Sequence, residues 1–244
     1  MAAAVLVVRP QPGADETVAA LEAAGISALA LPLLERRPLA ETAAMRANIQ
    51  ALAEYSAVIF VSPAAVEFGM AWVDRYWPQY PAATNWIAVG EGTRNALERW
   101  GLKVLAPESD ERSEGLLALP ELTDVRHEKI LIMRGLGGRD LLAETLRARG
   151  AQVDILELYE RQPVSVTLPA ADAIAAVVVS SVAVLEALLA SGGSSLRERP
   201  VVVPSERVAA AARDAGFTQV LEAEGAGPAA TVTVLRQLQP GGTQ

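Results

Sequence analysis

The chain has no cysteine, a single histidine (His127) and only 5% aromatic residues in 244. Without cysteine there is no disulfide framework, no thiolate zinc site, no iron–sulfur cluster and no thiol nucleophile. One histidine cannot furnish a multi-histidine metal site, and a Ser-His-Asp triad would have to pass through His127. That residue lies in a polar stretch ahead of a strand and reads as an exposed bystander. Cations are in the minority, 21 Lys and Arg against 29 Asp and Glu, for a net charge of −8. This balance argues against a general binder of nucleic acid or of anionic membrane, while leaving enough cations for a local anion site. No run reaches the ~18 apolar residues needed to span a bilayer. Met1 to Val8 is apolar, but it is short, lacks a basic start and runs into Arg9-Pro10. It therefore reads as a first strand rather than a signal peptide, and the expected location is the cytoplasm. No Gly-Lys-Ser/Thr phosphate loop occurs, and the glycines at 135, 137 and 138 miss the dinucleotide fingerprint because Asp140 stands where its last glycine belongs.

What the chain does have is 51% apolar residues, mostly Ala, Val and Leu, arranged as short β-branched runs followed by Ala/Leu-rich stretches. Strand cores are predicted at 4–8, 28–31, 57–61, 86–89, 129–133, 174–179 and 201–203. Helices are predicted at 15–24, 63–75, 91–100, 139–149, 182–191 and 205–215. Near-continuous apolar strands alternating with helices mean parallel sheets covered on both faces, an α/β class.

The chain also repeats. Residues 5–38 align without a gap on residues 130–163, and 12 of those 34 positions are identical, among them Arg9/Arg134, Gly13/Gly138, Asp15/Asp140, Gly25/Gly150 and Pro38/Pro163. A looser echo links 57–67 with 176–186. Two similar α/β halves follow. The repeated Glu-Arg-x-Pro segments, 35–38 and 160–163, read as extended linkers, because proline disfavours a helical residue before it. The halves are then either sequential, about 1–125 and 126–244, or interleaved, with the chain leaving the first domain near 37 and returning near 163.

Ligands of parallel α/β sheets bind at the carboxyl ends of strands, where helix N-termini present unpaired N–H groups and a positive dipole. The residues there are Arg9, Ser62, Gly90 to Thr93, Arg134 to Arg139, Ser180, Ser181 and Pro204-Ser205. They include small residues, hydroxyls and arginines, but no obvious acid–base pair. Each has two readings. The serines are helix caps or ligand donors. Gly135, Gly137 and Gly138 are an anion nest or a flexible turn. Arg9 and Arg134 bind an anion or form a structural ion pair. Ser113 caps a short helix or binds ligand with the amides after it. Tyr159, at the end of an extended strand, is packing or a phenolic donor facing a cleft.

These segments, taken in order, resemble the uroporphyrinogen-III synthase family. The resemblance is carried by VLVVRPQPGADETVAALEAAG and LPLLERRPL at the start, then VIFVSPAAVE, AVGEGT, SEGLL, ILIMRGLGGRDLLAETLRARGAQVDILELYER and VVVSSVAVLEALL. It spans nearly the whole chain, and the ordered set rather than any one motif is specific. It implies two similar parallel-sheet domains with flanking helices, 1–36 with 164–244 and 37–163, joined by a two-stranded extended linker with crossings near 32–38 and 157–163. It also implies cyclisation of hydroxymethylbilane to uroporphyrinogen III with loss of water and inversion of ring D, without cofactor or metal, on a substrate that lies in a cleft between domains; a monomer is expected. The family's functional tyrosine falls on Tyr159. Its hydroxyl-bearing loop positions fall on Ser62, Thr93 and Ser113, and the glycine of its Val-Gly turn on Gly90. Arg9, Arg134, Gly135, Ser180 and Ser181 are further substrate-binding candidates at equivalent strand ends. Two departures stand out: the later half has Pro204-Ser205 in place of the Val-Gly turn, and a Pro-Thr-Pro-like segment of relatives reads Ala226-Gly227-Pro228. There the backbone from Gly227 onward remains as a donor. The rival class is a two-lobed small-molecule binding or sensor protein without catalysis.

Overall fold

A computed structural model describes residues 3–107 and 113–238. The chain divides into two compact units, Met1–Arg36 with Gln162–Gln244 and Arg37–Arg161.

The first unit is built on a parallel sheet of five strands: β1 (Ala4–Val7), β2 (Ala28–Ala30), β9 (Ile174–Val178), β10 (Val201–Val203) and β11 (Val220–Glu222), in the order β11-β10-β9-β1-β2. Strand residues alternate between its two faces. Leu6 and Val8 pack with Val184 and Leu188 of α7 (Val182–Ala190) and Val208 of α8 (Glu206–Asp214). Val5 and Val7 pack on the opposite face with Leu21 of α1 (Gly13–Ala23) and Leu235 of α9 (Pro228–Leu238). Burial on both faces is why β1, β9 and β10 are apolar throughout rather than at every second residue.

A second sheet consists of β4 (Ala57–Phe60), β5 (Asn85–Ala88), β6 (Val104–Leu105), β7 (Lys129–Gly135), β8 (Gln152–Pro163) and β3 (Leu34–Pro38), in the order β3-β8-β7-β4-β5-β6, and all of it but Leu34–Arg36 and Gln162–Pro163 belongs to the second unit. The pairings from β8 through β6 are parallel. The bonds Leu39 N–H to Leu158 O and Val164 N–H to Leu33 O, 2.9 Å each, run in opposite sense along the two chains and make β3 antiparallel to β8. Val58 and Phe60 face α2 (Ala43–Gln50), α3 (Pro63–Tyr76) and α4 (Glu91–Glu98), while Ala57 and Ile59 face α5 (Ser113–Leu117) and α6 (Leu141–Ala148).

The repeat has a structural meaning. α1 and α6 both end at a glycine with left-handed backbone, Gly25 (φ 77°) and Gly150 (φ 92°), where a Cβ would be strained. The equivalent extended segments differ. β8 runs unbroken for 12 residues, whereas in the first copy β2 stops at Ala30 and β3 starts at Leu34. Pro32 occupies the place of Glu157, and without an N–H it cannot carry the ladder forward. The extended segment of the first copy is therefore split into two strands. The helix α2, capped by Thr42 Oγ1 accepting from Met45 N–H at 3.1 Å, is not among the helices expected above, because it follows the polar strand β3 rather than an apolar run. The helix expected over 139–149 starts two residues later, the turn being occupied by the Arg134 contacts described below.

At the amino end of the second sheet, Tyr55 donates to Asp154 Oδ2 at 2.8 Å, and Lys129 Nζ lies 4.6 Å above its ring. Burial first, then this hydrogen bond and the charges of Asp154 and Glu54, raise the phenol well above its ordinary value. Above pH ~10 the unfolded chain loses that proton before the folded one does, so the folded state binds more protons and stability falls as pH rises. Tyr55→Phe removes this component. Its unfolding midpoint, followed from neutral pH into the alkaline range, is expected to fall less steeply than that of the parent.

Candidate functional site

Polar and small residues gather at the carboxyl ends of both sheets. In the second unit, β4 leads through Ser62 into α3, and Ser62 Oγ accepts from Ala65 N–H at 3.0 Å. This is the capping role, with Pro63 in the first turn where its missing N–H costs nothing. The same Oγ lies 3.2 Å from Tyr159 Oη, so Ser62 both caps α3 and holds the phenol. β5 leads through Gly90 into α4, which no side chain caps, and Thr93 is buried in its first turn. Ser113 opens α5, but its side chain lies outside the described residues.

Tyr159 is 2% exposed, so its phenol does not face open solvent. The β7–β8 register shifts there: Arg134 faces Glu157 but Gly135 faces Tyr159, which leaves Leu158 as one extra residue on β8. Leu136 N–H donates to Tyr159 O at 2.7 Å, and the ring of Phe68, from α3, stacks on Tyr159 at 5.0 Å between centroids. Phe68 has no signature in the sequence. Only the packing of α3 on the sheet brings it to the ring.

Arg134 is 9% exposed. Its Nη1 donates to Gly138 O (3.0 Å), Arg139 O (3.2 Å) and Asp140 Oδ1 (2.9 Å), and its Nη2 to Glu157 Oε1 (3.1 Å). Glu157 also accepts from Gly137 N–H at 3.3 Å. Beside this cluster, between α5 and α6, a cavity of about 160 Å³ opens at the tips of β4, β5 and β7, bounded by Val61, Val89, Leu116, Ile132, Arg134 and Leu142.

The first unit repeats the arginine and one of its acids but not their pairing: Asp15, the equivalent of Asp140, accepts from Gln11 Nε2 at 2.8 Å, and Pro32 stands in place of Glu157. Arg9 Nη1 donates to Thr17 Oγ1 at 3.0 Å and to Ala226 O at 2.7 Å, and among the described residues no carboxylate pairs with it. Burial foremost lowers its pKa; Glu16 opposes this and Arg36 adds to it. A small cavity at the ends of β1, β9 and β10 is bounded by Arg9, Ser180, Pro204, Gly225, Ala226 and Thr231. Ser181 Oγ caps α7 by accepting from Val184 N–H at 3.3 Å, and Gly227 is exposed just ahead of α9.

The shared Arg-x-x-x-Gly pattern of the repeat is a packing device. A Cβ on Gly13 would meet Arg9 Nε at 2.8 Å, and one on Gly138 would meet Arg134 Cδ at 2.9 Å. In both units the strand-end arginine lies against the glycine four residues after it. Among the described residues, no helix is long and apolar enough to cross a membrane.

Comparison with known proteins agrees along most of the chain. The family model for uroporphyrinogen-III synthase HemD matches residues 15–233. The uroporphyrinogen-III synthase of Escherichia coli is 34% identical over 237 residues, covering 91% of this chain and 95% of that protein. The Salmonella typhimurium enzyme is 38% identical over 158 residues, 64% of each chain. Among solved structures, a mutant uroporphyrinogen III synthase from Thermus thermophilus superposes with TM-score 0.66 at 21% identity, covering 98% of this chain and 100% of that one. Uroporphyrinogen-III synthetase from Helicobacter pylori gives 0.63 at 14% identity over 97% and 100%. The two structural likenesses establish the α/β fold of paired parallel sheets; the family rests on the sequence matches. With the family model matched from Asp15 to Thr233, through Arg134 and the Tyr159 strand, the chain belongs to the uroporphyrinogen-III synthase family.

Proposed function

We propose that the chain cyclises hydroxymethylbilane to uroporphyrinogen III, a lyase reaction of tetrapyrrole biosynthesis that expels water and inverts ring D. The observation that carries this reading is the 34% identity to a synthase over nearly the full length of both chains. The linear tetrapyrrole loses water and closes unaided to the wrong isomer. The protein's task is therefore to impose geometry: the electron-poor carbon left by water loss must meet the substituted position of ring D, giving a spiro intermediate that fragments and recloses with that ring reversed. Holding reacting atoms in one geometry is worth up to ~7–11 kcal/mol in favourable cases.

In this reading Tyr159 is the proton source for the departing hydroxyl. Its phenol is buried against Ser62 Oγ, and Ser62 is only half-buried at the strand end. The proton passes from the phenol to Ser62 Oγ as the Ser62 hydroxyl proton moves to the leaving oxygen. The C–O bond breaks and water departs, and the proton released when the new pyrrole regains aromaticity returns to the phenolate. The net −8 charge of the chain rules out bulk attraction for a polycarboxylate, so local donors must hold it. We assign the uncapped start of α4 at Gly90 and Thr93, the start of α9 at Gly227, and Ser113, Ser180, Ser181 and Arg9 to that role. Arg9 is a better carboxylate contact than Arg134, whose guanidinium already serves two acids and two carbonyls. The protein acts as a cytoplasmic monomer without cofactor.

The test supplies freshly made hydroxymethylbilane, oxidises the products and resolves the I and III isomers. Predominance of III over a protein-free control is the expected result. Isomer I at the spontaneous rate overturns it, and tight binding without turnover would mark a binding protein instead.

A further inference from the structure

Gly135 is a glycine without a backbone reason. Its φ is not in the left-handed region, unlike that of Gly137 two residues on. The reason is space. A Cβ at 135 would lie 2.7 Å from Tyr159 Cζ, 2.8 Å from Cε2 and 3.0 Å from Oη. The register shift that leaves Leu158 extra on β8 sets Tyr159 directly opposite Gly135, and the bond from Leu136 N–H to Tyr159 O locks the two backbones at that point. The ring cannot retreat cheaply, because Phe68 stacks on it and its hydroxyl meets Ser62. A methyl group at 135 must push the ring along the Phe68 face and carry Oη away from Ser62 Oγ.

We infer that Gly135 is a positioning residue for Tyr159: with Phe68 it forms a slot that seats the phenol on Ser62, rather than serving as an anion-binding turn. The inference deepens the proposed synthase reading and rests on it for the effect on turnover. The placement of the ring is measurable without turnover.

The chain has four tyrosines, so protein labelled with carbon-13 at tyrosine Cζ gives four signals, and Tyr159→Phe identifies the one from residue 159. In Gly135→Ala that signal is expected to move while those of Tyr55, Tyr76 and Tyr80 stay. Turnover is expected to fall by about 10- to 100-fold at unchanged KM, the scale of an ångström-level misplacement. Added to Tyr159→Phe, the alanine should cost little more. Phe68→Leu, which opens the slot from the other side, should move the same signal, and it keeps the test intact should Gly135→Ala fold poorly. An unmoved Tyr159 signal in these variants, or an equal slowing of the parent and of Tyr159→Phe by Gly135→Ala, overturns the positioning role. Full activity of Tyr159→Phe instead overturns the proton-source reading, and the signal shifts then report on Gly135 by themselves.

Discussion

Tyr159→Phe is expected to slow formation of uroporphyrinogen III by about 100-fold, the lower end of what a positioned acid supplies, because the substrate already loses water unaided. The variant deletes one oxygen and little else. Its ring keeps the stack on Phe68, and Ser62 Oγ still accepts from Ala65 N–H, so α3 keeps its cap. Thermal unfolding should therefore shift only slightly while turnover collapses. The product mixture is the second readout. With water loss no longer assisted inside the protein, spontaneous closure in solution competes, and the fraction of isomer I should rise at limiting enzyme. Full activity with unchanged isomer composition would remove Tyr159 from the mechanism and return it to a packing role.

The second large effect concerns stability. Arg134→Ala is expected to destabilise the second unit by about 2–3 kcal/mol. Breaking a fully buried ion pair costs ~3–5 kcal/mol; here the side chains of Glu157 and Asp140 are 30% and 61% exposed, so water partly replaces the guanidinium. The loss goes beyond charge. Two carbonyls, Gly138 O and Arg139 O, lose their donor, and the aliphatic stem leaves the surface of Gly138. Arg134→Lys retains the charge but not the planar fork that reaches Gly138 O, Asp140 and Glu157 together, so it should recover only part of the stability. Denaturant midpoints of the three proteins settle the order. A carboxylate-binding role for Arg134 predicts a different pattern: unchanged midpoints and a raised KM. Arg9→Ala is expected to raise KM with the smaller stability loss, since Arg9 has no acid partner among the described residues.

Much of this architecture is legible in the sequence, and the reason is the parallel sheet. A strand buried on both faces must be apolar at every position, so β1, β4, β7, β9 and β10 announce themselves as short Val/Ile/Leu runs. Helix limits are local chemistry too: Ser62 and Ser181 begin α3 and α7, and Gly25 and Gly150 stop α1 and α6. The helix α2 and the break at Pro32 are less visible, because α2 follows a polar strand and the break depends on which neighbour the ladder would need.

The candidate site divides the same way. That Arg9, Ser62, Gly90, Arg134 and Ser180 stand at strand ends follows from the alternation of strands and helices alone. What each does there does not follow from residue type. Arg9 and Arg134 are identical in the repeat, yet Arg134 meets Asp140 and Glu157 while Arg9 meets Thr17 and a carbonyl after β11. The alignment shows Pro32 in place of Glu157, but it cannot show that Asp15, which matches Asp140, bonds Gln11 instead, or that one partner of Arg9 lies 217 residues away. Gly135 reads in sequence as one of three glycines in a turn. Only the extra residue on β8 and the packing of Phe68 show that its missing side chain is the space Tyr159 occupies. The sequence by itself determined the class of fold, the duplication and the family, since these rest on periodicity and on order along the chain. The tertiary structure decided which hydroxyl meets the phenol, which arginine is already paired and why residue 135 has no Cβ, since register and side-chain contact arise between segments far apart in the chain.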